Sequence, residues 1–263
     1  MTDDQDQHTT SGQPSTLARP GGQTLAYHAT PGKGPTVVWF GGFKSDMTGS
    51  KATAIEEWAR ARGQAYVRFD YFGHGASSGA FAEGTISRWL DDGMAVLDEL
   101  AKGDVILVGS SMGGWLSLLA ARTLAAREQS ARLKGLVLIA PAPDFTERLM
   151  WAGFSDEIRT QIMETGRYLQ PSDYDEPYEI TRELIEDGRK HLIMQEVIPV
   201  TCPVRILQGM RDDDVPWQHA LNIVEALEGD DVTYTLVKSG DHRLSEPADI
   251  ARLTRALDDI TGA

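Results

Sequence analysis

Strand-like and helix-like stretches alternate along this 263-residue chain, and the alternation predicts an α/β fold, a mostly parallel central sheet with helices on both faces. Two further observations sharpen this. The uncharged run Val105-Ile106-Leu107-Val108 passes through a Gly/Ser cluster straight into helix-forming residues, Trp115 to Arg127. A short, β-branched run bounded by turn residues reads as a buried parallel strand. The alternation then stops between Pro141 and about Pro199, where helical segments follow one another, and resumes afterwards. The expected architecture is one sheet interrupted by a helical insertion.

Taken in order, residues 1 to about 20 are rich in Asp, Gln, Thr, Ser and Pro and predict a disordered tail. Gln23 to Ala29 predicts an antiparallel strand ended by Pro31-Gly32, and Thr36 to Phe40 a buried strand leading into Gly41-Gly42-Phe43. Ser50 to Arg62 places Ala54, Ile55, Trp58 and Ala59 at helical spacing, with Gly63 as its C-cap. Ala65 to Phe69 is the next strand, followed by the turn Asp70 to Gly75 and the amphipathic helix Thr85 to Ala101. Leu133 to Ala140 is a further strand. In the interruption, Asp156 to Leu169 and Glu179 to Glu196 predict helices, with no strand-like run, among many Met and aromatic residues. Strands return at Val204 to Gln208 and Val232 to Val237 around the helix Trp217 to Leu227, and the last helix runs from Pro247 to about Ile260. The expected organisation is a core of residues 21–140 and 200–263, with 141–199 as a helical cap.

Composition narrows the function. The net charge is −14 and no dense Lys/Arg run occurs, so nucleic acid and anionic membrane surfaces are poor partners. No stretch reaches the length of a membrane span. Cys202 is the only cysteine, which rules out an intrachain disulfide and suits a reducing compartment; beside Pro203 it reads as a small core residue. Residues 1–16 show neither a secretory signal nor an Arg-rich presequence, so a cytoplasmic location is expected.

The chemistry lies at strand ends. Gly109-Ser110-Ser111-Met112-Gly113 is G-x-S-x-G between a predicted strand and helix, the nucleophile elbow of the α/β-hydrolase fold. Centring the motif on Ser110 would need glycine at Val108 and Met112, so Ser111 is the candidate nucleophile. A serine hydroxyl needs a base within hydrogen-bond reach and a third group to orient that base, and in this fold the acid precedes the histidine. Gly209-Met210-Arg211-Asp212-Asp213-Asp214-Val215-Pro216 follows a strand and matches G-x-x-D-x-x-V-P, which selects Asp212, with Asp213 and Asp214 close alternatives. Ser239-Gly240-Asp241-His242 follows the last strand, making His242 the candidate base, while His219 falls on a helix. Any one of these alone reads as an ordinary loop; three in a fixed order, each after a strand, read as a catalytic set. Backbone N–H groups of Met112 and Phe43 are the expected oxyanion donors, with Gly41-Gly42-Phe43 standing where a His-Gly pair is common. His74, in a Gly-rich turn, reads as structural. No metal-ligand spacing, dinucleotide fingerprint or Walker loop occurs, so no cofactor and no metal are expected.

The strings Phe69-Asp70-Tyr71-Phe72-Gly73-His74-Gly75, Gly109 to Trp115, Gly209-Met210-Arg211-Asp212-Asp213, Val215-Pro216-Trp217 and Asp241-His242-Arg243 resemble the serine α/β hydrolases. Within them they are similar to the palmitoyl-protein thioesterase and acyl-glucuronide esterase branch, over about Thr36 to Ile260. The resemblance implies Ser111, Asp212 and His242 as a triad that hydrolyses carboxylic esters or acyl thioesters, with a small-molecule or protein-linked acyl substrate. It departs at the start, where no mitochondrial presequence is visible. An amidase or peptidase, or a non-catalytic ligand-binding protein on the same scaffold, remains an alternative, and the oligomeric state is left open.

Overall fold

A computed structural model describes residues 12–171 and 177–262. Strands β1 (Ser15–Ala18), β2 (Thr24–Thr30) and β3 (Lys33–Phe40) lead into helix α1 (Ser50–Arg62). Gly63 ends α1 in the left-handed conformation (φ 64°), as expected of a glycine C-cap. Next come β4 (Gln64–Phe69), α2 (Ile86–Glu99), β5 (Val105–Ser110), α3 (Met112–Ala126) and β6 (Leu133–Ile139). Thr85 caps α2 by accepting the Arg88 N–H. After an intervening segment, β9 (Val204–Gly209), α6 (Trp217–Ala226), β10 (Val232–Val237) and α7 (Pro247–Thr261) complete the core.

Eight strands form one sheet in the order β1-β2-β4-β3-β5-β6-β9-β10. β1 and β2 are antiparallel to their neighbours; the pairings from β4 across to β10 are parallel. Alternate residues of the central strands point to opposite faces and bury both. Val38, Phe40, Leu107, Leu136, Leu138 and Ile206 pack against Trp89 of α2, Trp115 and Leu119 of α3 and Ile223 of α6. Val37, Trp39, Ile106, Val108, Val137, Ile139 and Leu207 pack against Ile55 and Trp58 of α1 and Leu253 and Leu257 of α7. Each such side chain contributes about 1.5–3 kcal/mol by leaving water, which holds the strand ends in fixed relation.

Two sequence expectations are corrected. Residues 15–18, read as part of a disordered tail, form β1: Leu17 sits opposite Leu25, and the edge of β2 supplies the backbone partners that polar composition alone did not reveal. Residues 1–11 of that expected tail lie outside the described residues. The segment between β6 and β9 is helical but not wholly so. It holds a π-helical turn (Thr146–Trp151), α4 (Asp156–Thr165), the antiparallel strands β7 (Arg167–Gln170) and β8 (Tyr178–Thr181), and α5 (Arg182–Gly188). Gly166, at φ 88°, stops α4 one turn early, and Leu169, read as the end of that helix, lies in β7 opposite Glu179. Ile162, Ile180 and Ile185 give this segment a small core of its own, packed by Met150, Phe154 and Tyr178. Among the described residues no helix is long and apolar enough to cross a membrane.

Candidate functional site

The carboxyl ends of β3, β5, β9 and β10 open on the same side of the sheet, where ligands bind in open α/β folds. At the end of β5, Ser111 adopts φ 54° and ψ −119°, a conformation that costs a non-glycine residue about 1–3 kcal/mol. The neighbours explain how it persists. Ser111 N–H donates to the Ile139 carbonyl at 2.9 Å, and its own carbonyl accepts from Gly114 and Ala142. A Cβ on Gly109 would collide with the Gly113 carbonyl, and one on Gly113 with the Phe40 carbonyl, so the crossing of strand and helix needs both glycines.

The structure brings the distant candidates to this serine. His242 Nε2 lies 3.0 Å from Ser111 Oγ, and His242 Nδ1 lies 2.9 and 3.0 Å from the two Asp212 oxygens. A carboxylate only accepts, so Nδ1 carries the proton and Nε2 is free to accept from the serine hydroxyl. The Asp212 side chain is fully shielded while the His242 side chain keeps 24% of its exposure. Asp212 Oδ1 also accepts the Asp214 and Val215 N–H groups, at 3.0 and 2.8 Å. Asp213 and Asp214 are exposed and lack this position. His219 instead donates from Nε2 to the Pro143 carbonyl at 2.7 Å.

The turn after β3 lies against the elbow, with the place of a Gly42 Cβ 3.5 Å from Ser111 Cβ. Among the described residues, the Phe43 N–H makes no hydrogen bond. Met112 opens α3, so its N–H belongs to the helix's first turn, which has no intrahelical acceptor. A cleft of about 710 Å3 joins these groups. One wall is apolar, with Phe145, Leu149, Met150, Phe154 and Tyr178 from the segment between β6 and β9. The other carries Asp46, Lys51, Asp213, Asp214 and Arg243.

Asp212, Asp214 and His242 offer oxygen and nitrogen atoms within 4.8 Å of one another, the one described grouping dense enough for a metal ion. Asp212 and His242 already direct these atoms at each other, so the grouping acts as a hydrogen-bonded chain leading to Ser111. Burial pushes the Cys202 thiol up to about 11, consistent with an inert thiol. Two contributors escaped the sequence reading. Gln208, wholly buried, donates from Nε2 to Asp212 Oδ2 at 2.9 Å and to the Val215 carbonyl at 3.1 Å, fixing the acid loop. Lys51 donates to the carbonyl of Arg243, the residue after His242. An amide ending an apolar strand was the available signal for the first; no local pattern marks the second.

Fold and site together define a hydrolytic enzyme, and the chain belongs to the alpha/beta hydrolase family, whose model matches residues 38–253. Particular relatives are close. The rat protein named palmitoyl-protein thioesterase ABHD10, mitochondrial, is 40% identical over 248 residues, covering 94% of this chain and 82% of the relative. The crystal structure of a putative hydrolase from Agrobacterium vitis is 46% identical, with a TM-score of 0.89 over 94% of this chain and 97% of that one. The structure of alpha/beta hydrolase domain-containing protein 10 from mouse is 38% identical, with a TM-score of 0.85 over the same shares, 94% and 97%. These relatives also correct one expectation. The cytoplasmic location expected from the composition of residues 1–16 is overturned: the rat, mouse and cattle proteins are described as mitochondrial, which points away from it.

Proposed function

We propose that this enzyme hydrolyses carboxylic esters and acyl thioesters with Ser111 as nucleophile, His242 as base and Asp212 as the group that orients it. The observation that carries this is the 3.0 Å approach of His242 Nε2 to the hydroxyl of a serine held at φ 54°. Ser111 Oγ attacks the acyl carbonyl carbon as its proton passes to Nε2, while His242 Nδ1 keeps its own proton, donated to the Asp212 carboxylate, which stabilises the imidazolium. The Phe43 and Met112 N–H groups receive the charge on the tetrahedral oxygen. Nε2–H then protonates the departing thiolate or alkoxide, leaving Ser111 acylated. Water, deprotonated by the same nitrogen, attacks the acyl-enzyme, and as the second tetrahedral intermediate collapses Nε2–H returns the proton to Ser111 Oγ and the acid is released.

Residues 141–199 act in this reading as the cap, and the apolar wall of Phe145, Leu149, Met150, Phe154 and Tyr178 receives the acyl chain. The name carried by the mammalian relatives, palmitoyl-protein thioesterase, favours a thioester of a fatty acyl group. A fluorophosphonate probe should label the wild type covalently and leave Ser111→Ala unlabelled. Turnover of matched acyl esters and thioesters should vanish with the label. Equal labelling of the two proteins would sink the assignment, and labelling without ester or thioester turnover, but with anilide turnover, would favour an amidase.

A further inference from the structure

His74 lies in the Gly73-His74-Gly75 turn, away from the Ser111–His242–Asp212 chain, and is only 3% exposed. Its ring is enclosed by Tyr71, Phe81 and Trp89, at centroid distances of 5.6, 5.1 and 5.2 Å. Nδ1 is 3.1 Å from the Phe72 carbonyl, which can only accept, so the proton is on Nδ1. Nε2 is therefore an acceptor, and it takes the Lys44 N–H at 3.1 Å. Burial lowers this imidazole to about 4, so it stays neutral wherever a histidine base works.

What that one acceptor holds is unusual. Gly42 to Ser45 is a four-residue turn closed by the Ser45 N–H on the Gly42 carbonyl at 3.2 Å. Its third residue, Lys44, has φ 56°, while Phe43 before it is not in the positive-φ region. That combination is a type II turn, which asks for glycine where this chain has lysine. The alternative, type I, suits lysine and differs by a rotation of the Phe43–Lys44 peptide. Left to itself the turn relaxes that way, since a left-handed non-glycine residue costs about 1–2 kcal/mol. A hydrogen bond from the Lys44 N–H to a buried, otherwise unsatisfied ring nitrogen opposes the rotation, because the rotated peptide would turn a carbonyl towards a nitrogen lone pair.

We propose that His74 is a positioning residue for transition-state stabilisation: by accepting the Lys44 N–H it locks the Gly42–Ser45 turn and presents the Phe43 N–H to the oxyanion. This rests on the proposed roles of Ser111 and Phe43. The donor sits on the Gly42–Phe43 peptide, next to the Phe43–Lys44 peptide that His74 holds, so without this tether the turn that carries the donor is free to shift against the elbow. Preorganisation of such donors is where oxyanion stabilisation comes from.

The test compares His74→Phe, which keeps a ring among the aromatic neighbours and removes the acceptor, with His74→Gln, whose side-chain oxygen reaches the Nε2 position. His74→Phe should lower kcat on a p-nitrophenyl ester on the order of 100-fold with KM within about twofold, and weaken a boronic acid transition-state analogue in parallel. His74→Gln should restore most of both losses. Thermal unfolding checks that each variant is folded. Should His74→Phe not fold, His74→Asn, which offers a polar atom only near the Nδ1 position, takes its place against His74→Gln. Equal kcat and analogue affinity in wild type and the acceptor-free variant would overturn the proposal. So would a loss confined to KM, or a glutamine variant no better than the acceptor-free one. Failure of the fluorophosphonate to label wild-type Ser111 overturns the site reading and this inference with it, which separates the two failures.

Discussion

Lys51 places an ammonium in the wall of the cleft, at the second residue of α1, where it donates to the carbonyl following His242. Burial lowers its pKa from 10.5 to about 8; Asp241 and Asp249 resist the fall and Arg243 assists it. The sign of the effect on stability follows. Between about 8 and 10.5 the unfolded chain holds the lysine proton more firmly than the folded one, so stability from this source rises with pH across that window. In Lys51→Met that rise should disappear, which calorimetric melting of both proteins from pH 7 to about pH 10.5 would reveal. The same variant should lose about 10-fold in kcat, because the loop carrying His242 loses a charged donor that fixes its place. A variant as active as wild type, with an unchanged stability profile, would mean the ammonium lies in solvent and tethers nothing.

At the scale of elements, the segment between β6 and β9 is fastened by a few buried polar contacts. Asp144, wholly buried, accepts the N–H groups of Ile193 and Met194 at 2.9 and 3.1 Å and pairs with Arg148 at 3.2 Å. The Ser87 hydroxyl donates to Asp187 at 2.8 Å and lies 2.7 Å from His191 Nε2, tying α2 to α5. Asp144→Ala leaves the buried Ile193 N–H unsatisfied, costing about 1–3 kcal/mol, and removes the acceptor of the partly buried Met194 N–H. Amide exchange should accelerate in residues 189–196 well before it does in the central strands, and uniform acceleration throughout the chain would contradict a local anchor. The backbone partners of Asp144 were not legible in advance, because Ile193 and Met194 lie some fifty positions away in sequence. What was legible obeyed local rules. The central strands are apolar runs, the turn at Ser111 needs glycines that no other residue replaces, and the proposed acid and base, Asp212 and His242, each follow a strand. The hairpin β7–β8 escaped because its strands are four residues each and abut a helix of similar composition. β1 escaped because its residues find their order only against β2.

The molecule as a whole is strongly acidic, with a net charge of −14, and its cleft repeats that bias in Asp46, Asp213 and Asp214 against Lys51 and Arg243. Lys51 keeps its charge while donating to a backbone carbonyl, and the three carboxylates against two cations leave the polar wall on balance negative. In the proposed reading a leaving group crosses this wall while the acyl chain rests on the apolar one, so substrates that share an acyl group differ in how the field meets their other half. The long-range part of such a field acts on encounter and is screened over a Debye length of about 10 Å at 0.1 M salt. An acyl thioester of a basic or neutral peptide should therefore exceed the matching acyl-CoA, a polyanion, in kcat/KM by on the order of 10-fold at low ionic strength. Raising the salt to about 0.5 M should narrow that ratio by slowing the cationic substrate and speeding the anionic one. Measuring both substrates across a salt series separates field from fit. A ratio that stays constant with salt would assign the discrimination to contacts within the cleft, and a preference for the polyanion would show that Lys51 and Arg243 outweigh the acidic majority.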